Sequence, residues 1–156
     1  LDFLKRNFTI FRFATGFFLN CPHKAKDMTV SAVSNGIQVS VQTYFQGRYF
    51  SRQGSLYLFV YDISIENKSN RVVQLLGRHW YIFDTGEGPS EVEGEGVVGK
   101  QPVIHPGETH QYQSGCHLRA SIGAMEGFYK MINLDTGEQF RVQVPTFQFF
   151  AEPRMN

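Results

Sequence analysis

A chain of 156 residues, 42% hydrophobic and 19% charged, suits a single folded domain and is long enough to bury a full core. Its formal charge of +1 argues against a disordered polyelectrolyte and against a surface that coats nucleic acid. Cys21 and Cys116 form no Cys-x-x-Cys pair, so neither a disulfide scaffold nor a zinc site is expected. A reducing cytoplasm is then the simplest compartment, with a single bridge between the two thiols left open.

The first 27 residues differ in style from the rest. Leu1 to Asn20 holds six of the fifteen phenylalanines, and Lys5, Arg6, Arg12, Lys24 and Lys26 face one acid, Asp2, before Asp27. From Met28 onward ten basic residues stand against twelve acidic ones. The expected boundary is therefore 1–27 for an extension and 28–156 for the domain. The preferred reading of 1–27 is translated sequence upstream of the true start. A targeting leader and an extension docked on the domain stay open as alternatives. The apolar run from Phe8 to Leu19 is broken by Arg12 and is too short to span a bilayer, so no membrane partner is expected.

Beyond Met28 the dominant period is two. Ile37, Val39, Val41 and Thr43 alternate with Gln38, Ser40 and Gln42, the pattern of a half-buried strand. Tyr57, Phe59, Tyr61, Ile63 and Ile65 form another apolar face, with Leu58 and Val60 adding burial behind it. Asn67 to Asn70 supplies turn residues. Val72 to Phe83 is a long third run with Gly77 as a bulge or bend in its middle. Asp84-Thr-Gly86 and Gly88-Pro89 close it. His105-Pro-Gly107 precedes a run from Thr109 to Leu118. Phe128 to Leu134 and Phe140 to Val144 flank the hairpin turn Asp135-Thr-Gly137. Phe147 to Phe150 ends the pattern after Pro145 has interrupted the ladder. About seven to eight strands at this spacing, with no convincing helix, predict an all-β antiparallel sandwich. Trp80, the only tryptophan, is expected between its sheets.

Between the third run and His105 lies a stretch from Val92 to Lys100 in which Gly94, Gly96 and Gly99 fit Gly-x-Gly-x-x-Gly. In a dinucleotide fold that fingerprint opens a helix, whose N-terminus holds the pyrophosphate. Here a turn follows instead. The glycines are expected to shape a bent strand-to-strand connection at an edge or end of the sandwich. Backbone amides freed by small residues leave anion binding as the alternative, with Arg78 and Lys100 as its cations. Glu91, Glu93 and Glu95 alternate nearby and would oppose that anion. They read as a solvated acidic edge, the competing reading being oxygen ligands for a divalent cation. His105, His110 and His117 lack transition-metal spacing. Ser114 lies between His110 and His117, but strand geometry scatters such residues, so no catalytic triad and no enzyme is expected.

In combination, several blocks resemble the ApaG family: Val73-Gln-Leu-Leu-Gly-Arg-His-Trp-Tyr-Ile82, Glu91-Val-Glu-Gly-Glu-Gly-Val-Val-Gly99, Gln101-Pro102, Pro106-Gly-Glu108, Tyr112-Gln-Ser-Gly-Cys116 and Met125-Glu-Gly127. The resemblance runs from about Ile37 to Phe149. It implies a fibronectin type III-like, immunoglobulin-like sandwich. It also implies kinship with domains of some eukaryotic F-box proteins and of a DNA-polymerase-interacting protein, which look like protein-interaction modules. Bacterial members are linked to cobalt resistance and magnesium efflux, and their gene often neighbours a diadenosine tetraphosphate hydrolase. The expected function is thus a non-catalytic module that binds a protein partner and needs no cofactor. The alternative is a sensor of diadenosine polyphosphate or pyrophosphate. Gly94, Gly96, Gly99, Arg78, His79 and Lys100 are the candidate binding residues.

Overall fold

The computed structural model describes residues 29–151. The expected extension 1–27 lies outside them, as do both ends of the expected domain. Nine strands form among these residues: β1 (Val30–Ser34), β2 (Ile37–Ser51), β3 (Gly54–Asn67), β4 (Val73–Asp84), β5 (Gly88–Glu95), β6 (Val103–Ile104), β7 (Thr109–Leu118), β8 (Ile122–Asn133) and β9 (Gln139–Phe150). One sheet has the order β1-β2-β3-β7, the other β5-β4-β8-β9, with the short β6 also pairing β4. Every pairing is antiparallel. The expected sandwich is therefore present, with nine strands among the described residues: β1, β5 and β6 join the expected runs, and the two runs expected on either side of Pro145 form one strand, β9.

β1 has only a weak apolar alternation, as an edge strand can. It is tied to β2 by Asn35 and Gly36, both at positive φ (52° and 77°), as a two-residue hairpin turn requires. β2 continues well past Thr43, pairing with β3 down to Ser51 opposite Gly54. The long run predicted around Gly77 is β4, and its register against β8 shifts between Leu75 and Gly77, the expected bulge. Pro145 lies within β9 rather than after a strand end. The β8–β9 register shifts nearby, between Met125 and Gly127, so the ladder steps around the missing N–H and continues to Phe150.

The inner faces interdigitate. Ile37, Val39, Phe59, Ile63 and Ile65 from one sheet meet Leu75, Met131, Val142, Val144 and Phe149 from the other, all at 1% exposure or less. Trp80 is 2% exposed, as expected, and stands edge-on to Tyr61, Tyr129 and Phe147 at centroid distances of 6.2, 5.9 and 5.9 Å.

The two sides of the sandwich close differently. On one, β1 and β2 are stitched to β9: Asn35 Nδ2 donates to Arg141 O (2.8 Å), Gln143 N to Ser34 Oγ (2.8 Å), and Thr43 Oγ1 to Gln148 O (3.0 Å). On the other, the edge strands β5 and β7 are joined through the segment 96–108, which carries Gly96 and Gly99.

Candidate functional site

Gly94 pairs directly with Arg78 across β4 and β5. The bulge before Gly77 resets the alternation, so Arg78 shares the inward face of Trp80 and sits opposite the fully buried Tyr129. Its guanidinium lies against Gly94, where a Cβ would come within 3.1 Å of both terminal nitrogens. Nη1 donates to the carbonyl oxygens of Glu95 (3.1 Å) and Gly96 (2.7 Å). Gly94 is thus a strand residue that makes room for a cation, not part of the bend. Gly96 and Gly99 do form the bent connection, at φ 57° and 74° with Val98 at 49° between them. A Cβ on Gly96 would stand 2.2 Å from Lys100 O, which no side chain tolerates.

Three amides of this turn are engaged. Gly96 N donates to Leu76 O (2.8 Å), Val97 N to Lys100 O (2.8 Å), and Lys100 N to Val97 O (3.0 Å). Val97 itself is 1% exposed and belongs to the core. An anion cradle needs several N–H groups converging on one point. Here three of them bond protein carbonyls, and Arg78 also faces carbonyl oxygens.

His79 points the other way, onto the outer face of its sheet. Its Nε2 lies 3.1 Å from Glu91 Oε2 and its Nδ1 4.0 Å from Glu93 Oε2. The ring stacks on Phe128 at 5.2 Å and 14°, beside Tyr81 at 4.7 Å, and Arg141 sits 4.4 Å over the Phe128 ring. Glu93 also pairs with Lys130, whose hydrogen bond and charge lower its carboxyl pKa. Two of the three alternating acids therefore already meet cationic or imidazole partners, and among the described residues no group of three His, Cys, Asp or Glu could hold a metal ion. The candidate residues split in two: Arg78, Gly94 and Gly96 form the inner edge, His79, Glu91 and Glu93 an outer patch.

The triad residues also separate. Ser114 is buried and hydrogen-bonds Tyr61, whose pKa burial pushes up to about 12. His110 is four residues away on the same strand, about 13 Å at strand rise, and His117 alternates to the opposite face. Tyr112 and Tyr129 share a 2.5 Å hydroxyl contact across the sheets, and burial raises both pKa values. The Cys116 thiol is pushed up to about 12, chiefly by burial and then by the charge of Asp84, which makes it an unreactive core group.

One feature escapes the sequence reading. The β2–β3 hairpin runs beyond the core and ends in Ser51 to Gly54. Phe50 is 80% exposed and Tyr49 53%. Arg48 lies 4.9 Å over Phe50 and 5.4 Å over Tyr57, and is fixed by donating to Ser55 Oγ from Nε (3.1 Å) and Nη2 (2.8 Å). Arg52 is exposed at the tip, and Arg119 reaches Gln53 Oε1 (3.1 Å) from the β7–β8 turn. The only legible signal is the tripeptide Arg48-Tyr-Phe50, which has no buried partner face to mark it as a strand.

Fold and site together describe a two-sheet sandwich of the fibronectin type III kind with a glycine-bent connection on its open side. Comparison with known proteins narrows this class. The family model described as the ApaG domain matches residues 48–133. Protein ApaG of Brucella abortus is 43% identical over 117 residues, 75% of this chain and 89% of that protein. Protein ApaG of Methylocella silvestris is 40% identical over the same length and coverage. A crystal structure of a Bordetella pertussis protein described as ApaA superposes with a TM-score of 0.67 at 37% identity, covering 76% of this chain and 95% of that one. The chain belongs to the ApaG domain family.

Proposed function

We propose that this chain is a non-catalytic protein-interaction module. The observation that carries the reading is the projecting β2–β3 hairpin, where Tyr49 and Phe50 stand exposed beside Arg48 and Arg52. Tyrosine and arginine are among the residue types enriched at binding hot spots, and Arg48 is already held in place over Phe50. Ordering a long side chain before binding lowers the entropy cost of docking. The separation of Ser114 from both histidines supports the non-catalytic part of the reading. We keep the cytoplasm as the proposed compartment; among the described residues no helix is long and apolar enough to cross a membrane. A link to cobalt resistance or magnesium efflux would run through the partner, because Lys130 and His79 already occupy the approaches to Glu91 and Glu93.

The test is affinity capture from the native cell with the chain and its Phe50→Ser variant. Proteins retained by the first and lost by the second support the module; identical captures from both count against it. A sensor of diadenosine polyphosphate or pyrophosphate is the second reading, favoured only by the exposed Lys100 beside the glycine turn. Calorimetric titration with ATP, diadenosine tetraphosphate and pyrophosphate, with and without magnesium, is expected to show no saturable heat. Micromolar binding abolished by Gly96→Val would put the sensor first.

A further inference from the structure

The four outer edges of the two sheets are not guarded alike. An edge strand offers a row of unpaired N–H and C=O groups, and folded proteins blunt it with shortness, proline, charge, bulges or cover. β5 carries Pro89 together with Glu91, Glu93 and Glu95. β9 carries Pro145 and Arg141, and its Arg141 and Gln148 carbonyls accept bonds from Asn35 and Thr43. β1 has five residues, and its Ser34 hydroxyl binds the amide of Gln143. β7 has none of these devices. Its ten residues contain no proline, lysine, arginine, aspartate or glutamate, and they pair with β3 in unbroken register from Leu118 opposite Tyr57 to Thr109 opposite Glu66. From Thr109 to Cys116 no backbone hydrogen bond other than this ladder forms among the described residues.

We infer that β7 is a docking edge that receives an extended acidic peptide as a fifth strand on the sheet β1-β2-β3-β7. The inference rests on the interaction-module reading and names one class of partner for it. Backbone pairing supplies the affinity, and alternate side chains of the guest supply the selectivity. Guest side chains on the inner side would enter the mouth between β7 and the glycine turn. There Lys100 is exposed and makes no ion pair among the described residues, and His110 Nε2 is buried without a hydrogen-bond partner. Lys100 is near enough to disfavour protonation of His110, after the larger effect of desolvation. A guest carboxylate would meet the Lys100 ammonium and accept from the unpartnered imidazole N–H, which satisfies a buried group that now has no partner. Glu91, Glu93 and Glu95 do not oppose it, because Glu91 and Glu93 engage His79 on the outer face of the opposite sheet and Glu95 shares their side of β5. Guest side chains on the outer side would lie beside Gln111 and Gln113, the second of which already bonds Asp62 Oδ1 at 2.8 Å. Uncharged polar residues fit there.

The probe is a terminally blocked peptide of alternating threonine and glutamate, seven residues long by design, added to the isotope-labelled full chain. Controls replace its glutamates by lysine, or methylate alternate backbone nitrogens in either phase. The expected result is amide shifts and slowed hydrogen exchange concentrated in 109–118, with affinity lower by about ten-fold or more for the lysine peptide. One of the two methylated phases should bind no better than the lysine peptide, and Lys100→Glu should invert the charge preference. Unchanged amides in 109–118 would overturn the inference. Shifts confined to 48–54 would overturn the edge assignment while leaving the interaction module standing. Protection of 109–118 that grows with protein concentration in the absence of peptide would give the edge to a second copy of the chain, and the peptide assignment would fall.

Discussion

The hairpin tip from Arg48 to Gly54 and the glycine connection from Gly96 to Lys100 are both short links at the surface of one sandwich, yet they are built to opposite ends. In the glycine connection three amides bond protein carbonyls, Arg78 braces two more carbonyls from inside, and Val97 is inserted into the core. At the hairpin tip Arg48 lies over two aromatic rings and donates only to the Ser55 hydroxyl, and Phe50 remains 80% exposed. The glycine pattern resembles a ligand loop by its spacing but closes the open side of the core. The tip, with no motif at all, holds the larger exposed aromatic surface. Spacing of glycines reports where a backbone bends; whether its amides are available depends on what else they bond.

Three substitutions on the closed side should be costly, and in a definite order. Trp80→Ala removes the largest fully buried side chain from a nest of three edge-on rings, and is expected to destabilise by about 3–5 kcal/mol. A thermal melt lowered by only a degree or two would mean that the rings repack, and the closed side would then be softer than its packing suggests. Gly96→Val places a side chain at positive φ and against Lys100 O, with an expected cost of about 2–4 kcal/mol. Denaturant unfolding close to that of the parent chain would show that the turn opens freely, and the contrast with the hairpin would disappear. Arg78→Met keeps much of the length but leaves the Gly96 carbonyl without its charged donor, for an expected loss of about 1.5–3 kcal/mol. A matching measurement on Arg48→Met should show far less, since Arg48 donates to a serine hydroxyl on an exposed ribbon. Equal losses at the two arginines would break the comparison.

Much of this was legible in the sequence, and the gaps have physical causes. Period-two alternation exposed β3, β4, β7, the second half of β8 and most of β9 because each has one face on the core. Gly77 marked the bulge in β4. The direction of Arg78 was not legible, because the bulge resets which residues face inward and a one-residue step moves every later side chain across the sheet. That step also separates Arg78 from His79, adjacent in sequence but on opposite faces. β2 could be followed only to Thr43, since beyond the core no buried face imposes an alternation. The guard residues of β5 and β9 could be read as prolines and charges; their meaning required the sheet order, which left β7 as the unguarded edge.

The smallest stability effect carries the sharpest test of the comparison. Phe50→Ser should leave the unfolding midpoint within about 0.5 kcal/mol of the parent, as expected for an exposed side chain away from caps and buried networks. Two consequences follow from its position. Arg48 keeps its ring contact with Tyr57 at 5.4 Å and its bonds to Ser55, so the hairpin should retain its register. Any partner that buries Phe50 should nevertheless lose much of its affinity, because truncating a hot-spot aromatic typically costs about 2 kcal/mol or more, over twenty-fold in dissociation constant. Stability and binding are thus expected to separate at Phe50, whereas at Trp80 and Gly96 they should fall together. Differential scanning calorimetry alongside capture of the same partner by parent and variant measures both. A Phe50→Ser chain that melts several degrees lower would show that the ring packs against something in the folded protein, and the tip would then belong with the closed side.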